Sequence, residues 1–94
     1  MSDGFAIEWD EAKRQATLAA RGVDLADAAL LDWDAALTVE DGRNDYPEPR
    51  FVTIGPIRGR LHVMAWCWRG LALRVISLRK ANAREVRRYE ETPD

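Results

Sequence analysis

Three apolar-alternating segments in the second half of the chain, residues 50–57, 61–68 and 71–79, constrain the fold more than any other feature of the sequence. Period-2 patterning places successive side chains on opposite faces of a strand. The two or three residues between these runs include a glycine each time, and connections that short join only antiparallel neighbours. The sequence therefore predicts a meander of three consecutive antiparallel strands. The middle run puts Leu61, Val63, Ala65 and Cys67 on one face and His62, Met64, Trp66 and Trp68 on the other. Both faces are largely apolar, so this strand is expected at the centre of a sheet covered on two sides. The first run is expected to break at Gly55-Pro56, with Gly59 and Arg69-Gly70 turning the chain.

The remaining elements follow from caps and periodicity. Phe5 to Trp9 reads as a short strand, and Asp10 caps a helix that Gly22 ends as a left-handed residue. Ala12, Ala16, Ala19 and Ala20 share one stripe of that helix, while Lys13, Arg14 and Arg21 point elsewhere. Asp24 caps a second helix with Asp27 in its first turn and an apolar stripe of Leu25, Ala28 and Ala29, which Leu30, Leu31 and Trp33 extend. Ala36 to Val39 suits a strand, and Glu40 to Pro49 is a polar loop punctuated by Gly42, Asn44, Pro47 and Pro49. Asn82 and Glu85 form a capping pattern for a last helix. Helices are thus expected over 10–21, 24–33 and 82–90. The fold class is α+β: one domain over residues 1–94 with an antiparallel sheet of four to five strands, two N-terminal helices and one C-terminal helix. The two N-terminal helices are expected to cover one sheet face, and the last to pack on an edge or the same face.

Composition narrows the function classes. At 47% hydrophobic and 32% charged residues, the chain is that of a folded domain. No apolar stretch approaches the roughly 18 residues of a membrane span. Met1-Ser2-Asp3-Gly4 has no basic segment leading into an apolar run. A lone cysteine, Cys67, leaves no internal disulfide. These features together predict a cytoplasmic protein with no membrane association. The net charge of −2 hides a division: residues 1–48 carry twelve acidic and four basic side chains, and residues 49–94 carry four acidic and ten basic. A half with net +6 can neutralise phosphates, so a nucleic-acid face is expected mainly from the second half; a solvated sheet face and an Arg-rich helix account for the same charge.

Neither a metal nor a cofactor is expected. His62 and Cys67, five apart, fall on opposite faces of one strand; the first reads as a sheet-surface residue and the second as a small buried one. Gly4, Gly22, Gly42, Gly55, Gly59 and Gly70 occur singly at turns, so no glycine loop cradles a phosphate. The arginines are the remaining chemistry. Arg50, Arg58, Arg60, Arg69, Arg74, Arg79 and Lys80 lie on or beside the strands, and a guanidinium grips phosphate with two donors. Arg74 interrupts an apolar strand, either to meet an anion or to pair with an N-terminal carboxylate. Trp66 and Trp68 either stack on bases or pack in the core.

Glu8-Trp9-Asp10-Glu11-x-Lys13 followed by Gly22-Val23, then Arg50-Phe51-Val52-Thr53-Ile54-Gly55 through Gly59-Arg60, then Arg69-Gly70, Arg74-Val75-Ile76-Ser77-x-Arg79-Lys80-Ala81, Glu85 and Tyr89-Glu90 resemble the motifs of the BrnT toxin family. The likeness covers residues 5–91. It implies a RelE-like fold, cleavage of an RNA substrate, and a BrnA-like antitoxin whose ribbon–helix–helix domain binds DNA, so that this chain meets DNA only indirectly. The chain departs from the family pattern at Thr17, at Ala20-Arg21, where a Lys-His pair is usual, and at Trp66 and Cys67. The missing histidine removes the natural near-neutral proton shuttle, and Arg21 in its place holds phosphate without acting as a base.

The expected activity is metal-independent endoribonuclease chemistry, in which a 2′-OH attacks the adjacent phosphorus. Arg69, Arg74 and Arg79 are assigned to phosphate stabilisation and Arg21 to a supporting clamp. Lys13 is assigned to proton transfer, for which burial or neighbouring cations must lower its pKa toward neutrality, with Tyr89 as the alternate. Two other readings remain open. One is a catalytically impaired protein-binding module acting as antitoxin partner or operon co-regulator. The other is a structural domain whose arginines solvate a sheet.

Overall fold

The computed structural model describes residues 5–42 and 45–93. Met1-Ser2-Asp3-Gly4, including the expected turn glycine, and Asn44 of the expected loop lie outside the described residues. In chain order the elements are β1 (Ala6–Trp9), α1 (Glu11–Arg21), two 3-10 helices (Leu25–Leu30 and Trp33–Ala35), β2 (Leu37–Glu40), β3 (Arg50–Ile57), β4 (Arg60–Arg69), β5 (Ala72–Lys80) and α2 (Ala83–Glu91).

β3, β4 and β5 pair consecutively and antiparallel, as their short connections require. Arg58 and Gly59 both take positive φ, 51° and 77°, giving the two-residue turn whose twist matches the flanking strands. β4 is the middle strand of the order β1-β5-β4-β3-β2. The sheet is mixed, which corrects the expectation of an antiparallel sheet: β1 runs parallel to β5, with Ala6 to Trp9 opposite Ala72 to Val75. A parallel pair needs a long crossover, and the chain between β1 and β5 supplies it. Periodicity reports which face a residue occupies and is silent on pairing at such a sequence distance.

β3 does not break at Gly55-Pro56. Its register with β4 is continuous from Arg50 opposite Cys67 to Ile57 opposite Arg60. Gly55 serves close approach instead. A Cβ there would lie 2.8 Å from Ala36 Cβ and 3.0 Å from Leu31 Cδ1.

The expected α-helix over 24–33 is replaced by two 3-10 segments. Leu25, Ala28 and Leu31 are the buried residues, a spacing of three that matches the 3-10 pitch, whereas Ala29 and Leu30 turn outward. Asp24 caps the first segment and Asp32 the second, and the second cap ends helical continuity. Leu25, Ala28 and Leu31 join Val23, Ile57, Met64, Trp66, Leu73, Val75 and Leu78 in the core. Trp66 is buried there, with Nε1 donating to Thr53 Oγ1 at 2.8 Å, while Trp68 is 44% exposed. His62, expected at the sheet surface, is buried with its Nδ1 2.7 Å from the Arg60 carbonyl.

α1 does not pack through its alanines; Ala12, Ala16, Ala19 and Ala20 are all exposed, and Arg14 and Thr17 are its half-buried residues. One methyl group per alanine offers little area to bury. The helix is held by Arg14, whose Nε and Nη2 donate to Asp24 at 2.7 and 3.2 Å and whose Nη1 donates to Glu11 at 2.8 Å. The Arg14 guanidinium holds the Asp24 carboxyl below the usual aspartate range. The fold thus rests on a tight core under one sheet face. Gly55→Ala should therefore lower stability by about 1–3 kcal/mol, because a core that full tolerates no added methyl without shifts. Thermal unfolding of the variant beside the parent checks this.

Candidate functional site

The face of the sheet opposite the 3-10 segments carries the charged residues. Arg50 on β3 lies opposite Cys67 on β4, and Cys67 opposite Arg74 on β5. Glu8 on β1 lies beside Arg74 and completes one row across four strands. The small Cys67 side chain, buried and with Sγ 3.8 Å from Glu48 Oε1, forms a low floor between two arginines. Around this floor is a cleft of about 210 Å³ lined by Asp10, Lys13, Glu48, Arg50, Cys67, Arg69, Arg74, Val75 and Ile76. Asp10 and Lys13 come from the start of α1, where Asp10 Oδ1 caps the helix by accepting from the Lys13 backbone amide.

The cleft mixes cations with their counter-charges. Arg74 Nη1 reaches Glu8 Oε1 at 3.3 Å, so the alternative of an N-terminal carboxylate partner holds geometrically. Arg69 is 3.8 Å from Glu48. Both pairs are partly exposed, which leaves them weak and exchangeable with an incoming anion.

Three of the six expected site residues, Lys13, Arg69 and Arg74, come together here. The other three are placed elsewhere. Arg21 is exposed at the end of α1, about 12 Å along the helix axis from Lys13. Arg79 forms a two-pronged pair with Glu85, both contacts at 2.8 Å. Tyr89 donates from its hydroxyl to the Ala35 carbonyl at 2.6 Å. Arg79 and Tyr89 therefore tie α2 down at both ends, from β5 across to the segment preceding β2. Asp10, Glu48 and Arg50 are the charged cleft residues that sequence reasoning did not assign to the site. The hairpin turns were the signal: counting outward from Arg58-Gly59 brings Arg50 opposite Cys67.

A small α+β protein whose sheet carries arginines on one face, around a cleft that they share with carboxylates, is the class these features define. A family model described as the ribonuclease toxin BrnT of type II toxin–antitoxin systems matches residues 9–85. Among solved structures, the Brucella abortus ribonuclease toxin BrnT is 31% identical, with a TM-score of 0.64 over 83% of this chain and 97% of that one. No curated protein matches. The chain belongs to the BrnT family of ribonuclease toxins of type II toxin–antitoxin systems. Among the described residues no helix is long and apolar enough to cross a membrane.

The Arg79–Glu85 pair makes a measurable prediction. Arg79 holds the Glu85 carboxyl down at about 2 from an ordinary 4.5. A depressed carboxylate stabilises the fold above its unfolded pKa, and that contribution is lost as pH falls through the folded value. Stability should accordingly decline as pH falls from about 4.5 to about 2. Glu85→Gln should cost about 1 kcal/mol at neutral pH and flatten that acid limb. Melting temperature followed against pH for both proteins is the measurement.

Proposed function

We propose that this chain is an active, metal-independent endoribonuclease of the cytoplasm, neutralised by a BrnA-like antitoxin of ribbon–helix–helix type through which alone it meets DNA. The observation that carries this reading is the convergence of Lys13, Arg69 and Arg74 with the carboxylates of Asp10 and Glu48 on one cleft. RNA carries its own nucleophile, so the protein has to supply proton transfer and fixed positive charge. The Glu48 carboxylate accepts the 2′-OH proton as the 2′-oxygen bonds to phosphorus. The bond from phosphorus to the 5′-oxygen then breaks, and Lys13 gives that oxygen a proton. The products are a 2′,3′-cyclic phosphate and a 5′-hydroxyl. Arg69 and Arg74 stabilise the extra charge on the phosphoryl oxygens, a role in which guanidinium groups do the work of a metal ion. The RelE-like scaffold implied by the family resemblance belongs to the same proposal, supported by the mixed sheet with one cation-bearing face.

One observation favours the non-catalytic alternative. Arg21, standing where relatives carry a histidine, lies outside the cleft lining. Cleavage of a defined RNA in the presence of a chelator separates the two readings: the purified chain should cut it, and intact RNA would leave the protein-binding module. Arg74→Lys keeps the charge but loses the two-pronged grip. It should lower the cleavage rate about ten- to a thousandfold, roughly 1.4–4 kcal/mol in barrier terms. Arg74→Ala should in addition lose the Glu8 contact and melt earlier. A destabilised Arg74→Ala protein that cleaves at the parent rate would make Arg74 structural.

The partner gives an independent test. The product of an adjacent gene should co-purify with this chain at micromolar concentration and suppress RNA cleavage. Separate elution of the two proteins would remove the antitoxin from the proposal.

A further inference from the structure

The cations of the cleft are not equivalent. Arg69 and Arg74 each have a carboxylate partner, and Arg79 has one outside the cleft. Arg50 lines the same cleft as Glu48 and Cys67, yet among the described residues it forms no salt bridge. Its Nε is buried and has no hydrogen-bond partner. Its guanidinium carbon stands 4.1 Å over the centre of the Tyr46 ring. Tyr46 is itself held, with its hydroxyl donating to Asp41 Oδ2 at 3.4 Å.

These facts have one chemical consequence. An arginine with no carboxylate partner keeps its in-plane Nη donors for an incoming anion. Stacking on an aromatic ring uses the flat face of a guanidinium, whereas its hydrogen bonds lie in the plane. Tyr46 therefore fixes the orientation of Arg50 without consuming a donor. Arg74 stands two strand spacings away on the same face, roughly 10 Å at the backbone, with the short Cys67 side chain between them. An anion entering the cleft beside the Glu48 carboxylate would meet both.

We infer that Arg50, oriented by Tyr46, is the residue that holds a nucleic-acid phosphodiester in this cleft, its Nη groups donating to a phosphate oxygen on the side facing Arg74. The inference deepens the ribonuclease reading by naming the substrate-gripping group, and the phosphate contact itself does not require cleavage.

The test uses the full-length chain and a 2′-deoxy pentathymidylate, which presents the phosphodiester but lacks the attacking hydroxyl. In a proton–nitrogen correlation spectrum, the Arg50 guanidinium signals should shift on titration. Arg50→Lys should weaken binding about tenfold, since a lysine cannot reproduce the fork. Arg84→Gln, on the exposed surface of α2 away from the cleft, should bind within about twofold of the parent, the change expected of one remote charge. If Arg50→Lys binds as tightly as the parent, or the guanidinium signals stay in place at saturation, the inference is overturned. RNA cleavage measured on the same variants separates the two readings. Binding through Arg50 with RNA left intact keeps this inference and removes the ribonuclease reading. Cleavage that is unchanged in Arg50→Lys overturns this inference and leaves the ribonuclease reading in place.

Discussion

Within its ladder with β4, β5 carries one residue more than its partner, and much of the molecule depends on that extra residue. Ala65 of β4 faces Ser77 while Trp66 faces Val75, so Ile76 has no partner. Such a bulge shifts the parity of a strand. Before it, Leu73 and Val75 point into the core; after it, Leu78 does. Strict alternation would have sent Ser77 and Arg79 inward in place of Leu78, stranding a guanidinium among apolar side chains at a prohibitive desolvation cost. With the bulge, Arg74 and Arg79 share the outer face despite their odd spacing. One then borders the cleft, and the other anchors α2 through Glu85.

The same face shows how the charge division along the chain resolves in space. The acidic first half and basic second half meet across the sheet. β1 lies beside β5, which sets Glu8 against Arg74, and the loop before β3 sets Glu48 against Arg69. Arg58 and Asp27 pair across the halves in the same way. Exposed pairs of this kind add little to stability. Their effect is to balance charge locally while leaving the donors exchangeable with an anion. The second half supplies the arginines of the cleft, and the first half supplies Asp10, Lys13 and Glu48.

A one-residue difference separates the sequence reading of the meander from the site it contains. Taking Arg69-Gly70 as the second turn would place Ala72 opposite Cys67. In the structure Gly70-Leu71 is the turn, with Gly70 at φ 62° and Arg69 opposite Ala72, so Cys67 meets Arg74. Register is exact to the residue, so that slip hides the row formed by Arg50, Cys67 and Arg74. Arg50 escaped for this reason, although it stood among the arginines named from sequence. Arg79 and Tyr89 were assigned to chemistry because motif position carries no information about partners; Glu85 and the Ala35 carbonyl take up their donors.

What the sequence determined by itself is local. The strands, the caps at Asp10 and Asn82, the stop at Gly22 and the meander follow from periodicity and from residues whose own side chains or φ angles make the turn. The tertiary structure alone decided the parallel pairing of β1 with β5, the 3-10 winding of Leu25 to Leu30, the outward turn of the α1 alanines and the bulge at Ile76. Each of these depends on contacts between residues far apart in the chain, where packing area, ion pairs and the parity of a neighbouring strand outweigh local preference. A pattern read along one segment cannot contain them, because the energies that select them arise only when the segments meet.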